Sequence, residues 1–186
     1  MKIIGIDPGT TITGIGIIEH KNGACSLIHY ETINLNSKDP LPSRLKKIYD
    51  ECLKCINRFK PDEFAIETAF YGKNIQSTLK LGQARGVAII AALNSNLSIS
   101  EYSPREIKKS VTGNGASSKE QVQYMVKTIL SVKNTQLAVD SSDAIAVALC
   151  HYYSLQNNIS LSRQNGRSKS WKSFIEKNPG RISIKK

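Results

Sequence analysis

Residues 2–19 read KIIGIDPGTTITGIGIIE, and this stretch decides the fold of the chain. The run KIIGID predicts a buried β-strand, because it is short, apolar and broken by Pro8-Gly9. The string TGIGIIE, Thr13–Glu19, predicts a second strand after this turn. Asp7 therefore ends a core strand, a place where an acid is seldom buried without a partner.

The rest of the chain alternates between strand and helix patterns. Ser26–Ile33 predicts a third strand, joined to the second by the hairpin signal Asn22-Gly23. The later patterns are, in order, a helix at Pro42–Phe59, a strand at Phe64–Glu67, a helix at Leu79–Leu93, a strand at Ser98–Tyr102, a helix from Pro104, a helix from the Ser117-Ser118 cap to about Leu130, and a helix from about Ser141 to Leu155. The sequence thus predicts an α/β fold with a mixed five-stranded sheet flanked by helices.

The chain is strongly basic. Its 26 Lys and Arg residues against 15 acids give a net charge of +11, the balance expected of a protein that neutralises phosphates. Residues 155–186 hold eight of these basic residues and one acid, and they carry +7 of the total. We expect a catalytic domain over 1–155 and a basic, flexible tail over 156–186, which either binds DNA nonspecifically or is a solvated end.

The four cysteines do not predict a metal centre or a set of disulfides. Only Cys52 and Cys55 form a CxxC pair, which lies in a helical pattern with no neighbouring histidine in the sequence, and this favours buried free thiols. No leader pattern starts the chain, and no apolar run approaches the ~18–20 residues of a membrane span. We therefore expect a soluble, cytoplasmic protein.

Four acids occupy positions that suit a metal site. Asp7 and Glu67 end strands, while Asp140 and Asp143 are three residues apart at the start of a helix and share one face. Helix capping explains the second pair equally well when that pair is taken alone. All four together favour Mg²⁺, or Mn²⁺ in its place, because hard ions prefer carboxylate oxygens, and the lack of a His-Cys cluster in the sequence argues against zinc. Two such ions about 4 Å apart can clamp the attacking and leaving oxygens of a phosphodiester.

Five strings resemble, in order and spacing, the RuvC family of Holliday-junction resolvases. They are GIDPGTTITGIGII, LPSRLKKIY, FAIETAFYGKN, LKLGQARGVAI and DSSDAIAVA, and the match covers residues 2 to about 153. The resemblance implies a ribonuclease-H-like fold, a homodimer, and paired, symmetric, magnesium-assisted nicks in a four-way DNA junction during recombination and repair. It also implies a branch-migration motor as a partner. The final segment SWKSFIEKNPGRISIKK has no counterpart in this pattern.

The resemblance also implies roles for single residues. The matches to the family's catalytic, metal-binding acids are Asp7, Glu67, Asp140 and Asp143. Phe70 matches an aromatic that packs against unpaired bases at the crossover, although an aromatic folded back on the core is the alternative. The lysines that match or resemble DNA-holding positions are Lys108, Lys119, Lys73 and Lys109. Ordinary solvated lysines are the alternative at each of these positions.

The helix at Leu79–Leu93 is the predicted dimer face. Its small residues Gly82, Ala84, Gly86 and Ala88 permit close packing against a partner, and it contains the matching string LGQARG. A plain core helix would show a similar pattern, so the sequence leaves both interpretations open.

Two other classes of protein compete with a junction nuclease. GIDPGTT also resembles the first phosphate loop of sugar kinases and actin-like ATPases, but those folds need a duplicated domain and 186 residues hold one unit. A noncatalytic junction-binding protein is disfavoured by the intact set of four acids. Among nucleases, an enzyme acting on RNA or single strands with the same fold is the nearest alternative, because a fold does not fix its substrate.

Overall fold

The computed structural model of the chain describes residues 1–68, 74–132 and 139–165, without the side chains of 139–140 and 158–165. The strands are β1 (Lys2–Asp7), β2 (Ile12–Lys21), β3 (Ala24–Asn34), β4 (Glu63–Glu67) and β5 (Ser98–Tyr102). The helices are α1 (Leu41–Phe59), α2 (Ile75–Asn94), α3 (Pro104–Thr112), α4 (Lys119–Ile129) and α5 (Val139–Asn165). These elements confirm the predicted α/β class.

The five strands form one mixed sheet in the order β3-β2-β1-β4-β5. β1 pairs with β2 and β2 with β3 in antiparallel fashion, whereas β1 with β4 and β4 with β5 are parallel. Asn22 and Gly23 both have positive φ, 54° and 81°, between the paired residues Lys21 and Ala24. This geometry is that of a type I′ turn, and it confirms the predicted hairpin.

The side chains of the central strands alternate between two helix-covered faces. Ile4 and Ile6 of β1 belong to a buried cluster that includes residues of α1 and α2. Between them Gly5 faces the other way, toward the backbone of α5 at Ala144 and Ala148. The sheet therefore lies between α1 and α2 on one face and α5 on the other.

Two helices differ in length from the prediction. α2 begins at Ile75 rather than Leu79, because the side chain of Asn74 accepts a hydrogen bond from the Ser77 N–H at 3.1 Å and caps the helix there. α5 continues to Asn165, so the first ten residues of the predicted tail, 156–165, are helical. Their sequence QNNISLSRQN lacks the apolar periodicity on which the prediction relied.

The shorter helices follow their sequence signals. Ser103 and Ser118 each form a capping box, with Glu106 and Gln121 respectively, and these boxes fix the starts of α3 and α4. The chain divides into two compact units, Met1–Tyr152 and Tyr153–Lys186. Among the residues that the structure describes, no helix combines the length and the apolar character that crossing a membrane requires.

Candidate active site

Two acids meet at the carboxyl ends of the central parallel strands. β1 and β4 are neighbours with Ile6 opposite Ile66, so the next residues, Asp7 and Glu67, leave the sheet side by side. A side-chain hydrogen bond joins the two carboxyl groups. The sequence placed an acid at the end of each strand, and the parallel pairing brings these acids together.

A third acid, Asp143, comes from α5 and depends on how closely that helix approaches the sheet. A Cβ atom on Gly5 would lie 2.3 Å from the Ala144 carbonyl oxygen, and one on Gly16 would lie 2.7 Å from the Ile145 nitrogen. Any side chain at either position would therefore push the helix away. Two glycines in adjacent strands thus set the depth at which α5 presents Asp143.

The turn that follows Asp7 is fastened from two directions. The hydroxyl of Thr13, a fully buried residue, donates to the Gly9 carbonyl at 2.9 Å and accepts from the Gly9 N–H at 3.2 Å. Arg44 on α1 donates from Nη1 to the Thr10 carbonyl at 2.6 Å. These bonds hold the backbone next to Asp7. They give a structural role to Thr13 in the GIDPGTTIT string and to Arg44 in the LPSRLKKIY string.

One pocket of about 230 Å³ collects the acids together with two lysines. Its lining residues are Asp7, Glu67, Pro104, Ile107, Lys108, Lys119, Val122 and Asp143. The acids come from β1, β4 and α5, and the other walls come from α3 and α4. The apolar wall of Pro104, Ile107 and Val122 was not predicted, because its residues look like ordinary helix positions in the sequence.

The pocket holds several carboxyl groups close together in a partly buried environment. Burial, followed by the charge of Asp7 and the hydrogen bond to it, raises the pKa of Glu67 well above its usual range, to about 8. The charge of Asp143 adds to this effect and Lys119 opposes it. Carboxylates arranged in this way repel one another until a cation lies among them.

The lysines predicted to hold DNA divide into two groups. Lys119 bonds Asp143 across 2.6 Å, from Nζ to Oδ2, and its side chain is 57% exposed. Lys108 is half-buried at the pocket wall. Lys109 is exposed and lines a separate depression with Ser103 and Gly113, so the structure does not bring it to the acids.

Three further predictions concern residues that the structure does not describe in full. Asp140 lies in the first turn of α5, one turn before Asp143, and its side chain is outside the described residues. Phe70 and Lys73 fall within residues 69–73, which are also outside them. The proposed roles of these three residues stay predictions.

The acid pocket fits hard divalent cations by the chemistry of its donors. Asp7, Glu67 and Asp143 offer carboxylate oxygens, and no thiol or imidazole is among the residues that line the described pocket. Burial, and then the neighbouring charge of Asp7, raise the pKa of Glu67, and a bound cation would oppose the second of these effects. A mixed sheet of this order with acids at the carboxyl ends of its central strands defines a ribonuclease-H-like nuclease.

Comparisons with known proteins specify the family within this class. A family model described as crossover junction endodeoxyribonuclease RuvC matches residues 3–151. Proteins of that name from Chloroherpeton thalassium and Salinibacter ruber are 48% and 44% identical to this chain; the matches span 96% and 98% of this chain and 97% and 99% of the relatives. The chain belongs to the family of crossover junction endodeoxyribonucleases RuvC.

Solved structures agree with this assignment. Thermus thermophilus RuvC in complex with a Holliday junction substrate superimposes with a TM-score of 0.79 at 30% identity, over 85% of this chain and 96% of that one. The yeast mitochondrial Holliday junction resolvase Ydc2 shares the fold, with a TM-score of 0.60 at 14% identity over 87% of this chain and 83% of that one.

Proposed function

We propose that the chain resolves four-way DNA junctions by hydrolysing one phosphodiester bond in each of two strands, in homologous recombination and DNA repair. The observation that carries this proposal is the convergence of Asp7, Glu67 and Asp143 in one pocket whose wall also holds Lys108 and Lys119. Family membership supports the reaction, and the Thermus thermophilus relative bound to a Holliday junction supports the substrate.

Mg²⁺ is the metal that we assign to the acid pocket, with two ions at each site and Mn²⁺ able to replace them. The ligands in this proposal are Asp7, Glu67, Asp140 and Asp143, and Asp140 is included because it lies one helical turn before Asp143. When bound, the ions supply Lewis-acid stabilisation of the phosphodiester and a bound water of lowered pKa. The carboxylates would hold the ions, and the buried position of Glu67 would limit competing water.

The two pocket lysines provide positive charge that attracts a phosphate, whereas the acids alone would repel it. Lys119 neutralises Asp143 in the metal-free chain, and its exposed ammonium group can turn to a DNA phosphate once a cation lies among the acids. Lys108 lies across the same pocket and stabilises negative charge that develops on the reacting phosphate. An acidic centre with a basic rim is therefore suited to a polyanionic substrate.

A homodimer supplies the two active sites that paired nicks require, and α2 carries the face that we assign to it. Ala84 and Ala88 of this helix are fully buried against the core, whereas a Cβ on Gly82 or Gly86 would meet no atom within 4 Å. The exposed apolar residues on α2 are Ile75, Leu79, Ile90 and Leu93, with exposures of 49–74%. Together with the two glycines they form an open stripe at helical spacing, which we call the α2 stripe.

Other predictions stay as the sequence left them. Phe70 and Lys73, proposed to contact DNA, lie outside the described residues. A DNA contact from Lys109, which lies away from the acid pocket, the branch-migration motor and the cytoplasmic location also stay predictions.

The Asp7→Asn variant tests the assignment of the acids, because it removes a ligand charge while changing little volume. We expect cleavage of a synthetic junction in Mg²⁺ to fall by at least about a hundredfold, since loss of a mere supporting contact at a metal already costs ~10–100-fold. Junction binding, measured by gel shift, should stay within about threefold of the unaltered chain, because phosphate contacts supply most of the affinity.

The control for this experiment is Asp50→Asn, which alters an exposed acid paired with Lys46 on α1. This variant should cut at the normal rate. Undiminished cutting by a folded Asp7→Asn chain would contradict the proposal, and so would a loss of binding as large as the loss of cutting.

A further inference from the structure

A second cluster of metal-ligating side chains lies where β3 meets α1. His29 Nε2 is 3.1 Å from one carboxylate oxygen of Glu31, and the Cys55 thiol donates to the other at 3.1 Å. Ligand atoms of all three residues lie within 4.8 Å of one another. None of the three lines the acid pocket as the structure describes it.

We propose that His29, Glu31 and Cys55 form a site for a zinc-class divalent ion, separate from the acid pocket and independent of its proposed function. Imidazole, carboxylate and thiolate are the three side-chain ligands that Zn²⁺ accepts in proteins, and a thiolate disfavours Mg²⁺. One carboxylate and one thiolate also balance the charge of a divalent ion. The ligands of this cluster thus favour a zinc-class ion, whereas the carboxylates of the acid pocket favour a hard ion such as Mg²⁺.

The spacing of the ligand atoms suits this ion. Bond lengths of about 2.0–2.3 Å at tetrahedral angles place neighbouring ligand atoms roughly 3.3–3.8 Å apart. The two 3.1 Å contacts are to different oxygens of Glu31, and the three ligand atoms lie within 4.8 Å of one another. Rotation of the side chains has to bring the most widely spaced ligand atoms closer together around an ion.

The site has three protein ligands and is partly open to solvent. Glu31 borders a cavity of about 260 Å³ that it shares with Thr32, Lys47 and Glu51, and neither His29 nor Cys55 lines this cavity. Solvent therefore reaches the cluster at Glu31, where water can supply a fourth ligand. Glu31 is 33% exposed on this side, while Cys55 closes the inner side at 3% exposure.

The supporting contacts hold the ligands in place without the ion. The His29 ring stacks on Phe59 of α1 with centroids 4.6 Å apart and an interplanar angle of 24°. His29 and Glu31 are two residues apart on β3 and so lie on the same face of the strand, where both contact α1. An ion here would tie the edge strand β3 to α1, which is a structural role.

The proton on Cys55 occupies the place that the ion would take. Burial, and then the hydrogen bond to Glu31, hold the pKa of this thiol far above its usual range. In the metal-free chain the thiol therefore keeps its proton and donates it to the carboxylate. Coordination forms a metal–sulfur bond and releases this proton to solvent.

The prediction of buried free thiols at the CxxC pair is confirmed, and the structure adds neighbours of Cys55 that the sequence did not show. The sequence showed no histidine near Cys52 and Cys55, and it therefore favoured buried free thiols. Folding brings His29 and Glu31 to Cys55, while Cys52, fully buried one turn earlier, stays outside the group of three. The four cysteines are free in the structure, as expected.

Cobalt(II) is the probe that tests this site, because a thiolate bound to cobalt gives a charge-transfer absorption that carboxylate ligands do not produce. The full-length chain, reduced and stripped with a chelator, is titrated with Co²⁺ and then with Zn²⁺. We expect the thiolate band to saturate at one ion per chain and to disappear when Zn²⁺ is added. Cobalt in the acid pocket contributes nothing to this band.

Variants assign the band to its ligands. Cys55→Ser should abolish it, and His29→Gln, which leaves the thiol in place, should weaken cobalt affinity by at least about tenfold. The matched control is Cys150→Ser, which alters another buried cysteine outside the cluster and should leave the band unchanged. Circular dichroism establishes that each variant is folded.

Two results would overturn the proposal. One is the absence of a thiolate band at millimolar Co²⁺ in the unaltered chain, which would make the cluster a plain hydrogen-bonded network. The other is a band that survives Cys55→Ser, or a cobalt affinity that His29→Gln leaves unchanged. Neither result bears on junction cleavage, so the two proposals fail separately.

Discussion

The ionisation of Glu67 makes both the stability of the protein and cation binding in the acid pocket depend on pH. Its pKa of about 8 in the metal-free chain means that the folded protein holds a proton that the unfolded chain, with an ordinary glutamate, releases near pH 4.5. The folded state therefore binds more protons than the unfolded state between these values, and the free energy of unfolding falls as pH rises through this window. A divalent cation must displace the same proton.

Metal binding should consequently strengthen as pH rises from 6 to about 8 and level off above that value. We expect an increase of up to about tenfold in Mn²⁺ affinity per pH unit, as for the release of one proton, measured by calorimetry in buffers of differing ionisation enthalpy. In the Glu67→Gln variant, whose amide holds no ionisable proton, this dependence should flatten. A pH-independent affinity in the unaltered chain would contradict the proposed ionisation.

Single residues were predicted from the sequence where their chemistry is local, and missed where it depends on folding. Asp7 and Glu67 end apolar strands, which is a visible anomaly, and the structure places them together as expected. The bond from Lys119 to Asp143 joins residues 24 apart and leaves no periodic signal. The same holds for His29 and Cys55, which meet only because β3 and α1 pack on each other.

α5 is the element whose position the active site depends on most. Gly5 and Gly16 let its backbone approach the sheet, and a methyl group on Gly16 would lie 2.6 Å from Ile145 Cγ1 and 2.7 Å from the Ile145 nitrogen. Because these contacts are largely to backbone, the helix must move as a whole to accept a side chain. Asp143 would move with it.

Gly16→Ala should therefore reduce both stability and activity. We expect the free energy of unfolding in urea to fall by about 1–3 kcal/mol, as for other overpacked cores. Cleavage by the folded fraction should fall by about 10²-fold, because a displacement near 1 Å at a reacting centre has that effect. The control is Asp50→Ala on α1, which changes an exposed side chain outside both the acid pocket and the α2 stripe and should leave cleavage unchanged. Normal cleavage by Gly16→Ala would show that the depth of α5 does not set the site.

α2 is the helix to which we assign the dimer face. The sequence left a core helix and a dimer face as alternatives, and the structure places Ala84 and Ala88 in the core with the α2 stripe on the other face of the helix, which is compatible with both roles. Ile90→Lys would place a charge in the middle of this stripe. In a two-fold dimer the same lysine of the second copy would lie opposite it, and the two charges would repel each other. We expect this variant to sediment as a monomer and to lose paired nicking.

Ile28→Lys on β3 is the matched control, because Ile28 is also exposed, at 39% against 49% for Ile90, and lies outside the α2 stripe. It should sediment like the unaltered chain. An Ile90→Lys chain that remains dimeric would show that the dimer uses another face.

At the scale of the whole molecule, the sequence predicted the order and class of the elements because apolar periodicity and turn signals are local. The hairpin at Asn22-Gly23, the start of α3 at Pro104 and the serine cap of α4 followed directly from such signals. The ends of α2 and α5 did not, because a single capping side chain and a stretch of polar helix leave little periodicity. The role of the basic tail stays a prediction.

Charge is distributed in a way that fits the proposed reaction. The chain carries +11 overall, yet its candidate active site gathers three acids in one pocket. A basic surface attracts the DNA backbone without regard to its sequence, and an acid pocket acts only when cations make it receptive to phosphate. In the dimer that we propose, selection of a branched substrate would depend on the separation of two such pockets.

The measurement that tests this account most directly compares a synthetic four-way junction with a linear duplex of the same sequence, each incubated with the chain in Mg²⁺. Mapping of the products at nucleotide resolution should show two symmetric nicks in the junction, with ends that a ligase can rejoin, and no nicks in the duplex. Asp7→Asn should leave both substrates intact. Equal cutting of junction and duplex, or cutting that persists after all divalent cations are chelated, would contradict the central claim.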